Sequence, residues 1–363
     1  MDSIMLERGN NRDVPKWIVL QLLEACNLRC RMCYEWGDGG SYIGKKKLDT
    51  LSLQKVKEVI DECETAHPYY ELFGGEPLLY PDIFEVIEYI HQKGSKVDMA
   101  TNGTLLEKNE EALACSGISR IWVSIDGDEE TNDLQRGAGV FKKAVSGIQK
   151  IKDIRRDKKP KVGITTIVTP KNANVLAKNF FEFAANCPID HISIEFQNYA
   201  TSKEYEEYKV FLKNNFGIGE AEAAKGYVRD TEEFAGIDCG TLSEDMVRIK
   251  QYCAEHDIKM FHNPNVISKE NYRCYFSADW EGMRGIRKRC PFVWLHAEVT
   301  ASGDVITCHT FHDLTFGNVY KNHFLDIWNN EKCRRYKNLL RAGKMPMCVA
   351  CSRNYSQLGG HSY

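Results

Sequence analysis

The sequence predicts an α/β fold in which a partial (β/α)6 barrel is followed by a small C-terminal domain made of a β-hairpin and a helix. Three observations predict it. From residue 17 to about 196, six short apolar runs alternate with amphipathic stretches, a pattern typical of parallel strands joined by helical crossovers. Six units fall short of the eight in a closed barrel. Beyond residue 285 the alternation gives way to a hairpin pattern.

The six predicted strands are short and rich in apolar and β-branched residues. They are WIVLQLL from Trp17, YELF from Tyr70, VDMAT from Val97, IWVSI from Ile121, VGITTIV from Val162 and HISIEF from His191. The helices between them are predicted near 52–66, 82–93, 107–116, 141–153 and 174–187. In the second helix, Ile83, Val86, Ile87 and Ile90 recur at three- and four-residue steps. This spacing gives one apolar stripe, which must face a core.

The rest of the chain has two further segments with different sequence patterns. Residues 201–285 are rich in Glu, Lys and Tyr, and we expect them to bridge two domains with helices near 202–215 and 242–256 and a strand in KMFHNPNVI. The segment LHAEVTASGDVITC predicts a hairpin that turns at Ser302, Gly303 and Asp304. A helix near 322–341 should end at Gly343, before Pro346. The predicted domains are therefore 1–200, 201–285 and 286–363.

Composition and charge argue against several classes of protein. The net charge of -3 over 363 residues gives no polybasic signature, so neither nucleic acid nor an anionic membrane is predicted as a partner. The first residues, MDSIMLERGNNRDVPKW, lack the apolar stretch of a signal peptide, and no run approaches the roughly 18 apolar residues of a membrane span. We expect a cytoplasmic protein.

The fourteen cysteines are informative in a reducing cytosol, where clusters of them point to metal binding or catalysis rather than to disulfides. Three of them, Cys26, Cys30 and Cys33, follow the first predicted strand in CNLRCRMC. A [4Fe–4S] cluster normally has four thiolate ligands, so three would leave one iron open to another ligand. Parallel α/β folds bind ligands at the carboxyl ends of their strands, which is where this trio lies.

The spacing C-x3-C-x2-C after strand one of a six-unit, TIM-like partial barrel resembles the signature of radical SAM enzymes. Later segments are similar to the family's motifs: FGGEPLL after strand two, TNGT after strand three, VSIDG after strand four, and LQRGAGVF. One departure is Met32, where the family usually has an aromatic residue before the third cysteine.

The resemblance implies that the trio holds a [4Fe–4S] cluster whose open iron binds S-adenosylmethionine (SAM). Gly74 and Gly75 would allow close backbone approach to SAM, and Glu76 would accept from its ammonium group. Arg136 is a candidate partner for the SAM carboxylate. The other candidate SAM contacts are Asn102, Ser124 and Asp126, for the ribose hydroxyls or for bracing strand ends, and Met32, through its backbone beside the adenine.

The implied chemistry belongs mainly to the cofactor. Reductive cleavage of SAM gives a 5′-deoxyadenosyl radical, which abstracts a hydrogen atom from a small-molecule or short-peptide substrate. A reductase such as flavodoxin or ferredoxin would supply the electron. The protein would orient the reactants and exclude water.

A second group of cysteines lies near the end of the chain. Cys290, Cys308, Cys348 and Cys351 form the pattern C-x12-G-x4-C followed by C-x2-C, which resembles the SPASM and twitch domains that hold auxiliary clusters. No cysteine occurs in the twelve residues after Cys351, so we expect one auxiliary [4Fe–4S] cluster, for electron transfer or for shaping the substrate-side wall. A structural zinc site with four thiolates is the alternative.

The reaction outcome is left open between oxidation and epimerisation. Dehydrogenation needs an electron acceptor and usually a base, for which His309, next to Cys308, is a candidate; a structural histidine is the alternative. Epimerisation needs a hydrogen-atom donor, for which Cys239, in AGIDCGTL, and Cys274, in NYRCYF, are candidates.

Two further alternatives remain. A peptide maturase would form a crosslink or a thioether. No separate N-terminal domain for gripping a leader peptide is evident, which favours a small or short-peptide substrate. The second alternative is a non-enzymatic iron–sulfur protein that only carries electrons. It would not explain the GGEP and TNGT segments or the open coordination position.

Overall fold

The structure, a computed structural model, describes residues 13–286, 290–343 and 345–355. Ten strands form one sheet in the order β10-β9-β8-β1-β2-β3-β4-β5-β6-β7. The strands are β1 Trp17–Gln21, β2 Tyr69–Phe73, β3 Val97–Thr101, β4 Arg120–Ser124, β5 Lys161–Val168, β6 His191–Phe196, β7 Lys259–Asn263, β8 His296–Val299, β9 Asp304–Ile306 and β10 Gly317–Asn318.

The helices lie mostly between successive strands. They are α1 Leu53–Cys63, α2 Ile83–Gln92, α3 Glu110–Cys115, α4 Glu129–Arg136, α5 Val140–Ile154, α6 Leu176–Asn186, α7 Ser202–Phe216, α8 Glu222–Lys225, α9 Cys239–Glu255, α10 Lys269–Phe276, α11 Phe292–Leu295, α12 Phe324–Trp328 and α13 Glu331–Arg341.

The predicted fold class is confirmed. Strands β1 to β6 pair in parallel in chain order, with helical crossovers between them. The α2 stripe of Ile83, Val86, Ile87 and Ile90 is buried, as its spacing requires. Sequence reasoning missed α4, a mostly polar helix whose N-terminus is capped by Asp128, the side chain of which accepts from the Thr131 N–H.

The sheet continues beyond the six barrel strands at both ends. Strand β7, from the predicted bridge, pairs in parallel with β6. It ends at Asn263 because Pro264 has no N–H for a strand ladder. On the other side, β8 pairs in parallel with β1, and β9 and β10 follow in antiparallel order. The domain boundaries at 200 and 285 stay a prediction.

The C-terminal region contains the predicted hairpin, but the single helix near 322–341 was wrong. Two helices, α12 and α13, meet at Asn329 and Asn330. The Asn330 side chain accepts from the Cys333 N–H at 2.8 Å, so it caps α13 and starts a new helix there.

One face of the sheet forms the inside of the barrel, here called the lumen. The strand register places Glu71 beside Val19 and Asp98, and Asp98 beside Arg120, on this inner face. At the lumen floor, Arg120 pairs with the buried Asp98 at 2.8 Å, and Trp122 also donates to that carboxylate. The lumen is therefore polar, whereas the outer face packs against the helices. In the described part of the chain, no helix is long and apolar enough to cross a membrane.

Candidate active site at the carboxyl ends of the strands

Two cavities open on the inner side of the sheet. The larger, of about 410 Å³, lies at the carboxyl ends of the strands and is here called the upper cavity. The smaller, of about 270 Å³, lies deeper and is here called the lumen cavity. The two share a set of lining residues, here called the throat: Met32, Tyr34, Phe73, Ala100, Ser124, Ile167, Tyr227 and His309.

All three cysteines of the trio line the upper cavity. They sit on a loop of successive turns that leaves β1. The Cys26 sulfur accepts from the Leu28 N–H at 3.4 Å, and the Cys33 sulfur accepts from the Trp36 N–H at 3.3 Å. Backbone N–H groups aimed at sulfur stabilise the thiolate form, which is the form that binds iron.

Burial raises the pKa of each thiol in the trio, that of Cys26 to about 11. A thiolate in this setting needs a compensating positive charge, which an iron cluster supplies. In the described part of the chain, no three His, Cys, Asp or Glu side chains converge on a single metal ion. The donor set fits a multi-iron cluster better, because each thiolate there binds a different iron.

The glycine pair after β2 packs against the strand that leads to the trio. A Cβ on Gly75 would lie 2.3 Å from the Ala25 carbonyl oxygen, and one on Gly74 would lie 2.5 Å from that of Leu23. Gly74 also has φ +147°, which other residues rarely adopt. The pair therefore fixes the loop before Cys26, and both glycines also line the upper cavity.

Glu76, which we expected to accept from the ammonium group of SAM, is placed differently in the structure. It is fully buried and does not line either cavity. Its carboxylate accepts from Thr101 Oγ1 at 2.8 Å, from the Asn102 N–H at 2.8 Å and from the Leu78 N–H at 3.1 Å. Burial raises its pKa despite these bonds. The side chain thus ties β2 to the end of β3 instead of facing a ligand.

Asn102, Ser124 and Met32 all line the upper cavity, as expected for contacts to a bound molecule. The Asn102 side chain donates to Asn27 Oδ1 at 2.8 Å, and its own oxygen accepts from the Thr104 N–H at 2.9 Å. These bonds connect the TNGT turn to the cysteine loop.

Arg136 and Asp126 form a buried pair beside the trio. The guanidinium donates to both carboxylate oxygens of Asp126, at 2.7 Å and 3.1 Å. Asp126 also accepts from the Ile167 N–H at 2.9 Å, is fully buried and lines neither cavity. Asp126 therefore braces the strand ends, one of its two expected roles. Arg136 does line the upper cavity.

The four late cysteines lie near one another. Burial, together with a smaller contribution from neighbouring thiols of the group, raises the pKa of Cys290 and of Cys308 to about 12. The pKa values of Cys348 and Cys351 are also raised, mainly by burial. The charge of Arg353 offsets part of this effect for Cys290, Cys308 and Cys351, but their pKa values stay raised, so the group fits a metal centre that stabilises the thiolate form.

Two stacked tyrosines lie between the cysteine groups. The rings of Tyr34 and Tyr227 are 3.8 Å apart at 19°. Tyr34 follows Cys33 directly, and its phenol is close enough to Cys351 to be affected by that thiol's charge. The stack therefore forms part of the wall that separates the two groups.

His309 lines both cavities, and its Nδ1 lies 2.7 Å from Glu298 Oε2. Burial disfavours the imidazolium, but the charge of Glu298 outweighs it and raises the His309 pKa. Sequence reasoning missed the acidic neighbours, Glu298 and Glu35. Burial raises the pKa of Glu35 to about 7. Glu298 could have been found from the sequence, because a carboxylate within the short predicted strand LHAEV indicates a buried acidic group.

The two proposed hydrogen-atom donors lie away from the cavities. Cys239 is the first residue of α9. Cys274 is buried within α10, with its sulfur 3.5 Å from Asp279. Neither lines a cavity, which argues against both cysteines as hydrogen-atom donors.

Two family models match the chain. The model described as the radical SAM superfamily matches residues 20–183, and the model described as an iron–sulfur cluster-binding domain, SPASM, matches residues 290–352. The first match contains the trio, and the second contains all four late cysteines.

Individual relatives have different activities. The chain is 28% identical over 327 residues to an AdoMet-dependent heme synthase from Methanosarcina barkeri, covering 89% of this chain and 84% of that protein. It is 34% identical over 183 residues to a mycofactocin maturase from Mycolicibacterium smegmatis, covering 49% of this chain and 43% of that protein. The solved structure of Streptococcus suis SuiB bound to S-adenosylmethionine superposes with a TM-score of 0.63 at 14% identity, over 96% of this chain and 77% of that one. At that identity the likeness establishes a shared fold.

Proposed function

Because this chain belongs to the radical SAM superfamily and carries a C-terminal SPASM domain, we propose that it abstracts a hydrogen atom from a small-molecule or short-peptide substrate bound in the lumen cavity, and that the outcome is oxidation. The observation that carries the proposal is the throat, which joins the cavity of the cysteine trio to a polar chamber inside the barrel.

The enzyme uses SAM, a SAM-binding [4Fe–4S] cluster and an auxiliary cluster. When bound, SAM and its cluster supply the 5′-deoxyadenosyl radical that abstracts the hydrogen atom. In our proposal Cys26, Cys30 and Cys33 hold the first cluster. The late cysteines, Cys290, Cys308, Cys348 and Cys351, hold the auxiliary one.

Upper-cavity residues would orient SAM. Arg136, fixed by Asp126, presents a cation for the SAM carboxylate, and Gly74 and Gly75 present backbone at close range. Asn102 and Ser124 offer polar atoms for the ribose. The Glu76 carboxylate already accepts hydrogen bonds from Thr101 and Asn102. The ammonium group of SAM would therefore be bound by backbone carbonyls of the glycine pair instead.

Two features favour oxidation over epimerisation. Among the described residues that line the cavities, the only thiols are those of the trio, so a cysteine donor for epimerisation is missing there. His309 lines the throat with one ring nitrogen held by Glu298, which leaves the other nitrogen to accept a proton from the oxidised substrate. The electron released in the oxidation would pass to the auxiliary cluster.

The relatives point to more than one substrate class. They include a heme synthase and a mycofactocin maturase, so a peptide-maturing reaction is the second candidate. It is supported by the overlap of this fold with SuiB, which has also been solved with its precursor peptide SuiA. We further propose a flavodoxin or ferredoxin as electron donor, and a cytoplasmic location.

The test is anaerobic incubation of the reconstituted protein with SAM and dithionite. We expect formation of 5′-deoxyadenosine even without substrate, and its loss in Cys30→Ala. With a converted substrate, net loss of two electrons would support oxidation. Incorporation of solvent deuterium at carbon with no redox change would instead support epimerisation. A protein that forms no 5′-deoxyadenosine would contradict the proposed function.

A further inference from the structure

Six carboxylates line the two cavities, and five of them have a partner. Each partner is a hydrogen-bond donor or a cation within 4.0 Å. The pairs are Glu24 with Lys45, Glu35 with Gln21, Glu195 with Arg353, Glu298 with His309, and Asp304 with Ser302 and Asn318. The sixth is Glu71, on β2. Its carboxylate makes no hydrogen bond or ion pair with any other residue in the described part of the chain.

Glu71 is placed to meet a molecule in the lumen. It lies in the middle of β2 on the inner face, beside Val19 of β1 and Asp98 of β3. It lines the lumen cavity but not the upper cavity, whereas the cysteine trio lines only the upper one. Glu71 and the trio therefore line different parts of one continuous space, which meet at the throat.

The charges around Glu71 do not neutralise it. Arg353 and His309 are the nearest opposite charges, but each is paired with another carboxylate, Glu195 or Glu298. Asp98 and Glu298 add negative charge. Burial raises the pKa of Glu71 to about 7, so a cationic ligand would gain a charge-assisted bond by ionising it.

The two arginines that line the lumen cavity are already paired. Arg120 binds Asp98 at 2.8 Å, and Arg353 lies 4.0 Å from Glu195. A substrate with several carboxylates would have to break such pairs, which is costly in a buried site. The lumen thus favours a cation over an anion.

The throat adds a constraint on shape. Four of its side chains, Met32, Phe73, Ala100 and Ile167, are apolar. An aliphatic chain can pass between them without leaving a polar group unpaired. A molecule that spans the throat would place its aliphatic C–H bonds towards the upper cavity and its charged end at Glu71.

We propose that Glu71 is a specificity-determining residue that binds the ammonium or guanidinium group of the substrate, with the aliphatic part of the substrate in the throat. This inference rests on the proposed function. It narrows the substrate class to aliphatic amines and guanidines, either free or as lysine-like or arginine-like side chains of a short peptide.

The experiment measures binding and hydrogen transfer with three capped amino acids of similar size: N-acetyl methylamides of lysine, norleucine and glutamate, each deuterated in the side chain. Equilibrium dialysis against the reconstituted protein with SAM, without reductant, gives the affinities. Addition of dithionite then gives deuterium transfer into 5′-deoxyadenosine by mass spectrometry. We expect the lysine probe to bind roughly tenfold or more tightly than the other two, and to transfer deuterium.

Glu71→Gln keeps the size of the side chain and removes its charge, so it should abolish the preference for lysine. Glu71→Asp should retain part of it, and Glu129→Gln, on an exposed helix, should retain all of it. Equal affinities in the unmutated protein, no binding of the lysine probe, or a preference that survives Glu71→Gln would each overturn the inference.

The substrate-free formation of 5′-deoxyadenosine separates this inference from the proposed function. Glu129→Gln should form 5′-deoxyadenosine without substrate at the unmutated rate, because Glu129 lines neither cavity. If the unmutated protein forms none, the proposed function fails, whatever the binding measurement gives. If it forms some but lacks the lysine preference, only the role of Glu71 fails.

Discussion

Asp126 holds Arg136 through two hydrogen bonds, at 2.7 Å and 3.1 Å, at the edge of the cavity that contains the cysteine trio. The pair connects the end of β4 to the last residue of α4. Since Asp126 also accepts from the Ile167 N–H, the guanidinium is fixed relative to two strand ends. A fixed cation beside the trio is suited to a carboxylate that must be held in one orientation.

Asp126→Asn should weaken SAM binding roughly tenfold or more, because the amide removes one charge-assisted bond and lets Arg136 turn. Equilibrium dialysis of labelled SAM against the reconstituted protein measures this. Iron content should stay unchanged, and Glu129→Gln on the same helix should bind SAM normally. An unaltered SAM affinity in Asp126→Asn would exclude the positioning role.

Cys348→Ala should remove the auxiliary cluster and leave the first one in place. Iron per chain should fall from about eight to about four, the content of one [4Fe–4S] cluster. Substrate-free formation of 5′-deoxyadenosine should continue, since Cys348 lines neither cavity. Finding about four irons and one zinc in the unmutated protein would contradict the auxiliary cluster.

Cys239→Ser and Cys274→Ser should retain substrate turnover within roughly twofold, because neither thiol lines a cavity. The comparison is turnover per reconstituted cluster, with Cys30→Ala as the inactive reference. A large loss of turnover with intact 5′-deoxyadenosine formation would restore either cysteine as a hydrogen-atom donor.

Asp190 should stabilise the fold in its ionised form. Burial alone would raise its pKa, but bonds from Arg155 and from the Val162 N–H, with the charge of Lys152, lower it to about 2. Burial lowers the pKa of Lys152 itself, so we take Arg155 as the main partner. A drop from 3.8 to about 2 corresponds to about 2 kcal/mol of folding free energy.

Because the folded pKa is depressed, this stabilisation is present above about pH 4 and is lost as the pH falls towards 2. Asp190→Asn should lower the thermal midpoint by a few degrees at pH 7, and the difference should stay constant from pH 8 to pH 5. Circular dichroism measures this, with the exposed Glu129→Gln as a neutral control. An equal midpoint at pH 7 would contradict the ion pair's role.

The barrel strands could be predicted because each one carries a local pattern. Short apolar runs with alternating helices specify their own type, and the α2 stripe specifies which face is buried. Residues 329–330 show the limit. Apolar residues continue on both sides of them, but Asn330 Oδ1 accepts a capping bond from the Cys333 N–H, which starts a new helix there.

The candidate site also contains residues that could be predicted from local patterns and residues that could not. The position of the trio and of Arg136 followed from motifs that are local in sequence. The role of Glu76 did not follow in this way, because its partners, Thr101 and Asn102, lie at the end of the next strand. Arg353, the opposite charge with the largest effect on Glu71, pairs with Glu195 although the two are far apart in the sequence. That Glu71 has no partner of its own among the described residues is therefore visible only in the folded molecule.

The central claim is that the iron cluster on Cys26, Cys30 and Cys33 has an open position that binds SAM directly. The most direct measurement is pulsed electron paramagnetic resonance of the reduced protein with SAM labelled with ¹⁵N at its amino group. We predict a hyperfine coupling between that nitrogen and the cluster, and no such coupling in Cys30→Ala. A cluster signal unchanged by SAM, with no ¹⁵N coupling in the unmutated protein, would contradict the account.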